Sequence, residues 1–276
     1  MKLSASRDTI LKPLQSIIGV VERRQTMPIL SNVLLVADDN TLSVTATDLE
    51  VELVAETSVN VEIPGKTTIP GRKLHDICRA LPEGKDVEIS IDGDRVTVKS
   101  GRSRFTLSSL PAADFPLVDE ISAQRVLKLD RQEFLNLLDK THFSMAQQDV
   151  RYYLNGLLFE TEGDTLRVVA TDGHRLAMAE MGLSDSAEEK AQVIVPRKGV
   201  LELQRLLGDD GQIELALGAN HIRAQFQGIR FTSKLIDGRF PEYSKVVPSN
   251  VTNIVIADRT LLRQALQRAA ILSNEK

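Results

Sequence analysis

The 276-residue chain has no tryptophan, one cysteine and four histidines, and only 4% of its residues are aromatic. A lone cysteine excludes an intramolecular disulfide, and the apolar-periodic setting of Cys78 suits a small buried side chain better than a reactive thiol. His75, His142, His174 and His221 lack the spacing of metal ligands, so neither a metal site nor a cofactor is expected. A Gly-rich phosphate loop and a Gly-x-Ser-x-Gly nucleophile motif are both missing. Asp172 and His174 come nearest to an acid–base couple, but no nucleophile accompanies them and no catalytic residue is assigned. No run approaches the roughly 18 apolar residues of a membrane span. The opening Met1-Lys2-Leu3-Ser4-Ala5-Ser6-Arg7-Asp8 has no apolar signal core, so a cytoplasmic protein is expected. A basic surplus is lacking too: the net charge of −4 argues, on its own, against a nucleic-acid binder.

What is present is a duplication. Leu154-Asn155-Gly156-Leu157-Leu158-Phe159-Glu160 and Leu166-Arg167-Val168-Val169-Ala170-Thr171-Asp172 restate Leu30-Ser31-Asn32-Val33-Leu34-Leu35-Val36 and Leu42-Ser43-Val44-Thr45-Ala46-Thr47-Asp48 at a constant offset of 124. A unit this long implies duplicated domains, not a solenoid of roughly 20–50-residue repeats. With 42% hydrophobic and 26% charged residues, the composition is that of a globular chain. Leu154, Leu157, Val168 and Ala170 read as repeated scaffold. The copies diverge where Leu49-Glu50-Val51-Glu52 gives way to Gly173-His174-Arg175-Leu176.

Periodicity fills in each copy. A short strand at 2–5 precedes a helix with Asp8-Thr9 as capping groups and Ile10, Leu11, Leu14, Ile17 and Ile18 on one face, provided Pro13 lies in its first turn. Three alternating strands follow between Ile29 and Val61, then a strand ending at Pro70 and a helix with Leu74, Ile77, Cys78 and Leu81 inward. Three more strands, two of them joined through Asp92-Gly93-Asp94, close the unit. The second copy repeats this plan, with Asp130 capping its first helix and Arg197-Lys198 opening its second. A third copy begins at Ile254-Val255-Ile256-Ala257 with Asp258 as cap and stops one helix later. That tail is expected to be poorly ordered or docked elsewhere, since one strand and one helix bury too little. The fold class is α+β: tandem domains, each with two helices packed on one face of mainly antiparallel sheet. The boundaries are 1–122, 123–249 and 250–276.

Charge is unevenly distributed. The helical segments beginning at Arg7, Arg72, Arg197 and Asp258 each sum to +2, and only the one from Asp130 departs from this. Basic helices on an acidic body imply a polyanion along one face.

Phe143-Ser144-Met145-Ala146, Gln148 to Gly156, Ala170-Thr171-Asp172-Gly173-His174-Arg175-Leu176, Val195-Pro196-Arg197-Lys198-Gly199 and Asp237-Gly238-Arg239-Phe240-Pro241 resemble the bacterial DNA polymerase III beta subunit, the sliding clamp. The match extends from the first residue to the last. That family has three domains per chain and two chains per ring, so the resemblance implies a non-catalytic processivity factor that encircles duplex DNA, here without most of the third domain. It implies sequence-independent DNA contacts from Arg24, Gln148, Tyr152, Tyr153, Arg197 and Lys198, one tyrosine of the pair being an alternative candidate for core packing. It implies a peptide groove at Thr171, Gly173, His174, Arg175, Leu176, Pro241, Lys245 and Val246 for the polymerase alpha subunit, the clamp loader and other motif-bearing partners. It also implies a ring interface at Lys73, Phe105 and Leu107 against Ile271 and Leu272. With so little third domain, a weakened groove and a mainly monomeric chain that cannot encircle DNA alone are expected. The alternative is a two-domain module that binds partner peptides without DNA.

Overall fold

The computed structural model describes residues 1–21, 27–118, 121–208, 210–248 and 251–273. The first copy runs β1 (Lys2–Ser6), α1 (Arg7–Ile17), β2 (Asn32–Asp38), β3 (Thr41–Thr47), β4 (Val51–Ser58), β5 (Asn60–Ile63), β6 (Gly65–Pro70), α2 (Gly71–Ala80), β7 (Asp86–Asp92), β8 (Arg95–Ser100) and β9 (Ser103–Ser108). The second runs β10 (Ala123–Asp130), α3 (Arg131–Thr141), β11 (Gly156–Thr171), β12 (Leu176–Pro196), α4 (Arg197–Leu206), β13 (Gln212–Gly218), β14 (His221–Phe226) and β15 (Ile229–Lys234), and α5 (Arg259–Ala269) follows. The bounds of α1 and α3 differ by 124 at both ends, and those of α2 and α4, β7 and β13, β8 and β14, and β9 and β15 by 126. The two extra residues fall within β12, which replaces β4, β5 and β6.

β11 and β12 are each two strands of the first copy run together. Thr41↔Ser58 and Thr47↔Glu52 in the β3–β4 ladder recur as Thr165↔Gly182 and Thr171↔Leu176, while Asn32↔Pro70 recurs as Gly156↔Pro196. All pairing is antiparallel. The strands form a five-stranded sheet β5-β1-β7-β8-β9, the β11-β12 pair, and an eight-stranded sheet β10-β13-β14-β15-β4-β3-β2-β6. The strands of a repeat are therefore divided between two sheets, because its opening strand pairs with the first of its closing three, β1 with β7 and β10 with β13. The eight-stranded sheet joins the copies: β15 lies along β4, with Phe231 opposite Leu53. One hydrophobic core, from Leu3 to Phe231, runs through both copies. Chain contacts accordingly gather residues 1–239 into one compact unit and 240–276 into another.

Ser6, not Asp8 or Thr9, caps α1: its hydroxyl accepts from the Thr9 amide at 3.2 Å, as Asp130 accepts from Glu133 at 3.0 Å and Asp258 from Leu261 at 2.9 Å. A cap sits one residue before the helix, and α1 starts at Arg7. Pro13 is consequently in the helix interior, where its ring is buried with Leu14 and Ile17. In the second unit, the expected strand at 254–257 is not formed. β1 is held between β5 and β7, whereas Ile254, Val255 and Ile256 are at least 82% exposed and have no neighbouring strand among the described residues. α5 forms with its cap, but none of its residues is buried.

Candidate functional site

Between α3 and β11 the chain makes a compact loop whose shape depends on Asn155. Its side chain accepts a hydrogen bond from the Asp149 amide and donates one to the Asp149 carbonyl, both at 2.9 Å. This double clamp holds Gln148 with φ of 57°, a left-handed conformation that asparagine and glycine adopt more readily. Asp149 in turn receives Arg151 Nε and Nη2 at 3.0 and 2.8 Å. The Arg151 guanidinium, followed by its backbone N–H, holds the Asp149 carboxyl down to about 2. Tyr152 and Tyr153 then lie in a short 3-10 turn, not on a strand, their rings edge to face at 5.8 Å. Tyr152 is exposed and Tyr153 half-buried, so neither belongs to the core.

Arg151 Nη2 also donates to the Asp172 carbonyl at 3.3 Å, tying this loop to the Thr171 turn. That turn is a duplicated device. Thr47 Oγ1 donates to the Val51 carbonyl and accepts from Leu49 N, while Asp48 Oδ1 accepts from Glu50 N and Val51 N. Thr171 and Asp172 make the same four bonds to Arg175, Gly173, His174 and Arg175. The backbone bonds from His174 and Arg175 depress the Asp172 carboxyl to about 2, so at neutral pH it is ionised and the turn is closed. The third residue is left-handed in both copies, φ 75° at Leu49 and 89° at Gly173. Only the second copy fills that position with the residue that pays no Cβ penalty. Gly173→Ala is expected to cost about 1 kcal/mol, the left-handed penalty less the chain entropy regained. It should also push the Arg151 guanidinium aside, which a new Cβ would approach to 3.1 Å. Thermal unfolding together with amide exchange at His174 checks both effects.

Within this unit the loop and the turn share one concavity of about 460 Å³, with Gln148, His174, Arg175 and Arg197 on its walls. Arg175 lies over the Phe143 ring at 5.8 Å, and Leu176 is half-buried at the start of β12. Residues assigned to DNA and residues assigned to the peptide groove thus meet at one rim. Pro241, Lys245 and Val246 belong to the second compact unit, where the Tyr243 amide donates to the Pro241 carbonyl at 2.7 Å and Lys245 pairs with Glu242. Of the interface candidates, Lys73 is exposed on α2, and Phe105 and Leu107, two residues apart, share one face of β9, the unpaired edge of its sheet among the described residues. Ile271 and Leu272 are exposed in the second unit. Arg24 lies outside the described residues.

The helix charges need correction. Arg131 is 1% exposed, and its guanidinium donates to the Leu206 carbonyl at the end of α4 and to the Asp210 carbonyl beyond it. Arg7 does the same for α2, reaching Cys78 and Arg79 carbonyls at 3.0 Å. Arg72 donates to the Val21 carbonyl, and Arg205 to the Gln15 and Ser16 carbonyls. Cations at helix C-termini are a structural use of charge, so the +2 per segment overstates what faces outward. Arg197 remains at the rim, its own amide bound to the Asn155 carbonyl and its guanidinium 3.5 Å from the Met145 carbonyl. Asn155, Asp149 and Arg151, which build the rim, were visible in the sequence only as motif letters without a role.

Among the described residues, no group of three metal-ligating side chains occurs and no helix is long and apolar enough to cross a membrane. Two family models match the chain: the DNA polymerase III beta subunit N-terminal domain over residues 1–119 and its central domain over 128–242. The beta sliding clamps of Pseudomonas aeruginosa and Escherichia coli are each 52% identical over the whole chain, which spans 76% of their length. The crystal structure of the DNA polymerase III subunit beta from P. aeruginosa superposes with a TM-score of 0.97 at 51% identity, covering all of this chain and 76% of that one. A P. aeruginosa sliding clamp bound to griselimycin gives 0.96 at 52% identity, with 100% and 75% covered.

Proposed function

Because the chain belongs to the DNA polymerase III beta subunit family, we propose that it works as a sliding clamp: a processivity factor that holds duplex DNA without reading its sequence and tethers polymerase and other motif-bearing proteins. Its role is non-catalytic. Domains at 1–122 and 123–249, with 250–276 opening a third, follow the repeat. A topological tether needs only phosphate-level contacts, which hold a duplex while leaving it free to slide. Gln148, Tyr152, Tyr153 and Arg197 are proposed to face the DNA with Arg24; Thr171, Gly173, His174, Arg175 and Leu176 of the first compact unit, and Pro241, Lys245 and Val246 of the second, are each proposed to contact partner peptides.

The observation that carries the ring reading is the seam between copies. β15 of the second copy lies along β4 of the first, and β9, the counterpart of β15 and bearer of Phe105 and Leu107, ends its sheet with an edge that is open among the described residues. A contact that joins the tail of one repeat to the head of the next closes a ring when the rotation repeats. β9, with Lys73 on α2 of the same copy, is thus the proposed acceptor of a third repeat carrying Ile271 and Leu272. Duplex binding should fall steeply with salt, log K against log salt sloping by roughly −0.9 for each phosphate neutralised. Titration of a fluorescent duplex at several salt concentrations checks this. No binding at any concentration would leave the peptide-binding module as the better reading.

A further inference from the structure

Lys198 stands among the residues assigned to DNA, yet its ammonium is directed at protein. It forms an ion pair with Asp48, whose side chain is 3% exposed while that of Lys198 is 34% exposed. The two residues come from different copies: Lys198 is the second residue of α4, and Asp48 belongs to the Thr47 turn between β3 and β4. One Asp48 oxygen already accepts from Glu50 N and Val51 N at 2.9 and 2.8 Å. The other, Oδ2, is buried, takes no other hydrogen bond among the described residues and is paired with the Lys198 ammonium. Two turns along α4, Arg205 makes a second crossing. It is held by Glu202 at 2.8 Å and donates to the Gln15 and Ser16 carbonyls at the C-terminal end of α1. Between these crossings runs the ladder of β15 on β4, so α4 is fastened to the first copy at both ends, alongside the shared strand pair.

We propose that Lys198 is a positioning residue of the seam between the two copies: its ion pair with Asp48, with Arg205 at the far end of α4, fixes the angle at which one repeat follows the next, and it is not a phosphate ligand. The second copy supports this reading by contrast. Asp172, the counterpart of Asp48, turns its Oδ2 to Arg175 within its own turn at 3.0 Å. A cation from another repeat is therefore a feature of the seam, not of the turn itself. A buried carboxylate that loses its cation is left uncompensated in low dielectric, which is costly whatever the intact pair contributes.

The inference rests on the clamp reading only in the DNA arm of its test. In the whole chain, Lys198→Met and Asp48→Asn are compared by amide exchange at β4 and β15, and Lys198→Met by the salt slope of duplex binding. Lys198→Met is expected to lower protection of Val54 and Phe231 about tenfold or more, through loosening of the seam. Asp48→Asn removes the charge that needs the cation, so the double variant should be no worse than the worse single variant, as partners in one interaction behave. Lys198→Arg should keep the protection. The salt slope of Lys198→Met should equal that of the unaltered chain. Protection unchanged within twofold, additive single effects, loss in Lys198→Arg, or a slope reduced by about 1 would each overturn the proposal. If the unaltered chain binds no DNA, the clamp reading fails and the exchange arm still decides the role of Lys198.

Discussion

Arg131→Ala is expected to destabilise the chain by about 3 kcal/mol or more, because it removes a buried charge's worth of contacts and leaves their partners in place. The side chain is 1% exposed. It donates to the Asp210 carbonyl at 3.2 Å and the Leu206 carbonyl at 3.5 Å, and its guanidinium lies 4.8 Å from the centre of the Phe226 ring. Alanine leaves a void beside Phe226 and a helix end whose carbonyls have lost a donor, and each effect is unfavourable alone. For a chain of this size, 1 kcal/mol corresponds to roughly 2–4 °C, so the midpoint should fall by roughly 6–12 °C. Arg131→Met keeps most of the volume and should recover part of the loss. Urea unfolding checks both, and a change below about 1 kcal/mol in the alanine variant would show that the helix end is satisfied without the arginine. Arg7, the counterpart in the first copy, should be less sensitive, because its side chain is 12% exposed and Asp8 shares it with the carbonyls.

The same arginine marks the limit of what the sequence discloses. Periodicity located every helix and nearly every strand of both copies, since the apolar positions that recur along the chain are those that line the core: Leu154, Leu157, Val168 and Ala170 are all at most 2% exposed. Charge counting could not tell an arginine facing solvent from one folded back onto a neighbouring helix end, because both read as a positive residue on an amphipathic helix. One signal was available. Arg7, Arg131 and Arg259 each follow the cap, after Ser6, Asp130 and Asp258, and a residue kept at one place in three copies of a fold suggests a shared structural duty. The β4–β15 seam had no local signature, because pairing between strands nearly 180 residues apart depends on which edges are left open once each copy has folded. The Thr47 and Thr171 turns were legible as duplicated letters, whereas their different employment, one facing Lys198 and the other Arg151 and Arg175, required coordinates.

Gly156→Ala should be nearly as damaging as the loss of Arg131, and for the opposite reason: it adds one carbon where there is no room. A Cβ at this position would lie 2.6 Å from the Val195 carbonyl oxygen, 2.8 Å from Ile194 Cγ2 and 2.9 Å from Ile236 Cδ1. The nearest of these is backbone within the β11–β12 ladder, so relief requires the strand to move, not merely a side chain to rotate. Overpacking of this kind costs roughly 1–3 kcal/mol, and a contact with backbone places the expected value near the upper end. The first copy shows that the strand position does not itself require glycine. Its counterpart, Asn32, is 5% exposed and donates to Thr68 Oγ1 at 2.9 Å. Thr68 corresponds to Ile194, through the paired registers Leu34↔Thr68 and Leu158↔Ile194. One copy therefore uses a polar Asn–Thr pair where the other uses Gly beside Ile, and neither half of either pair can be exchanged alone. Gly156→Asn should thus be worse than Gly156→Ala in the native background, and Gly156→Asn with Ile194→Thr should recover part of the difference. Because Gly156 follows Asn155 directly, the damage should also reach the rim: exchange protection at the Asp149 amide, which depends on Asn155, should fall together with the unfolding midpoint. If the midpoint falls while that amide keeps its protection, the clamp at Asn155 is independent of the start of β11.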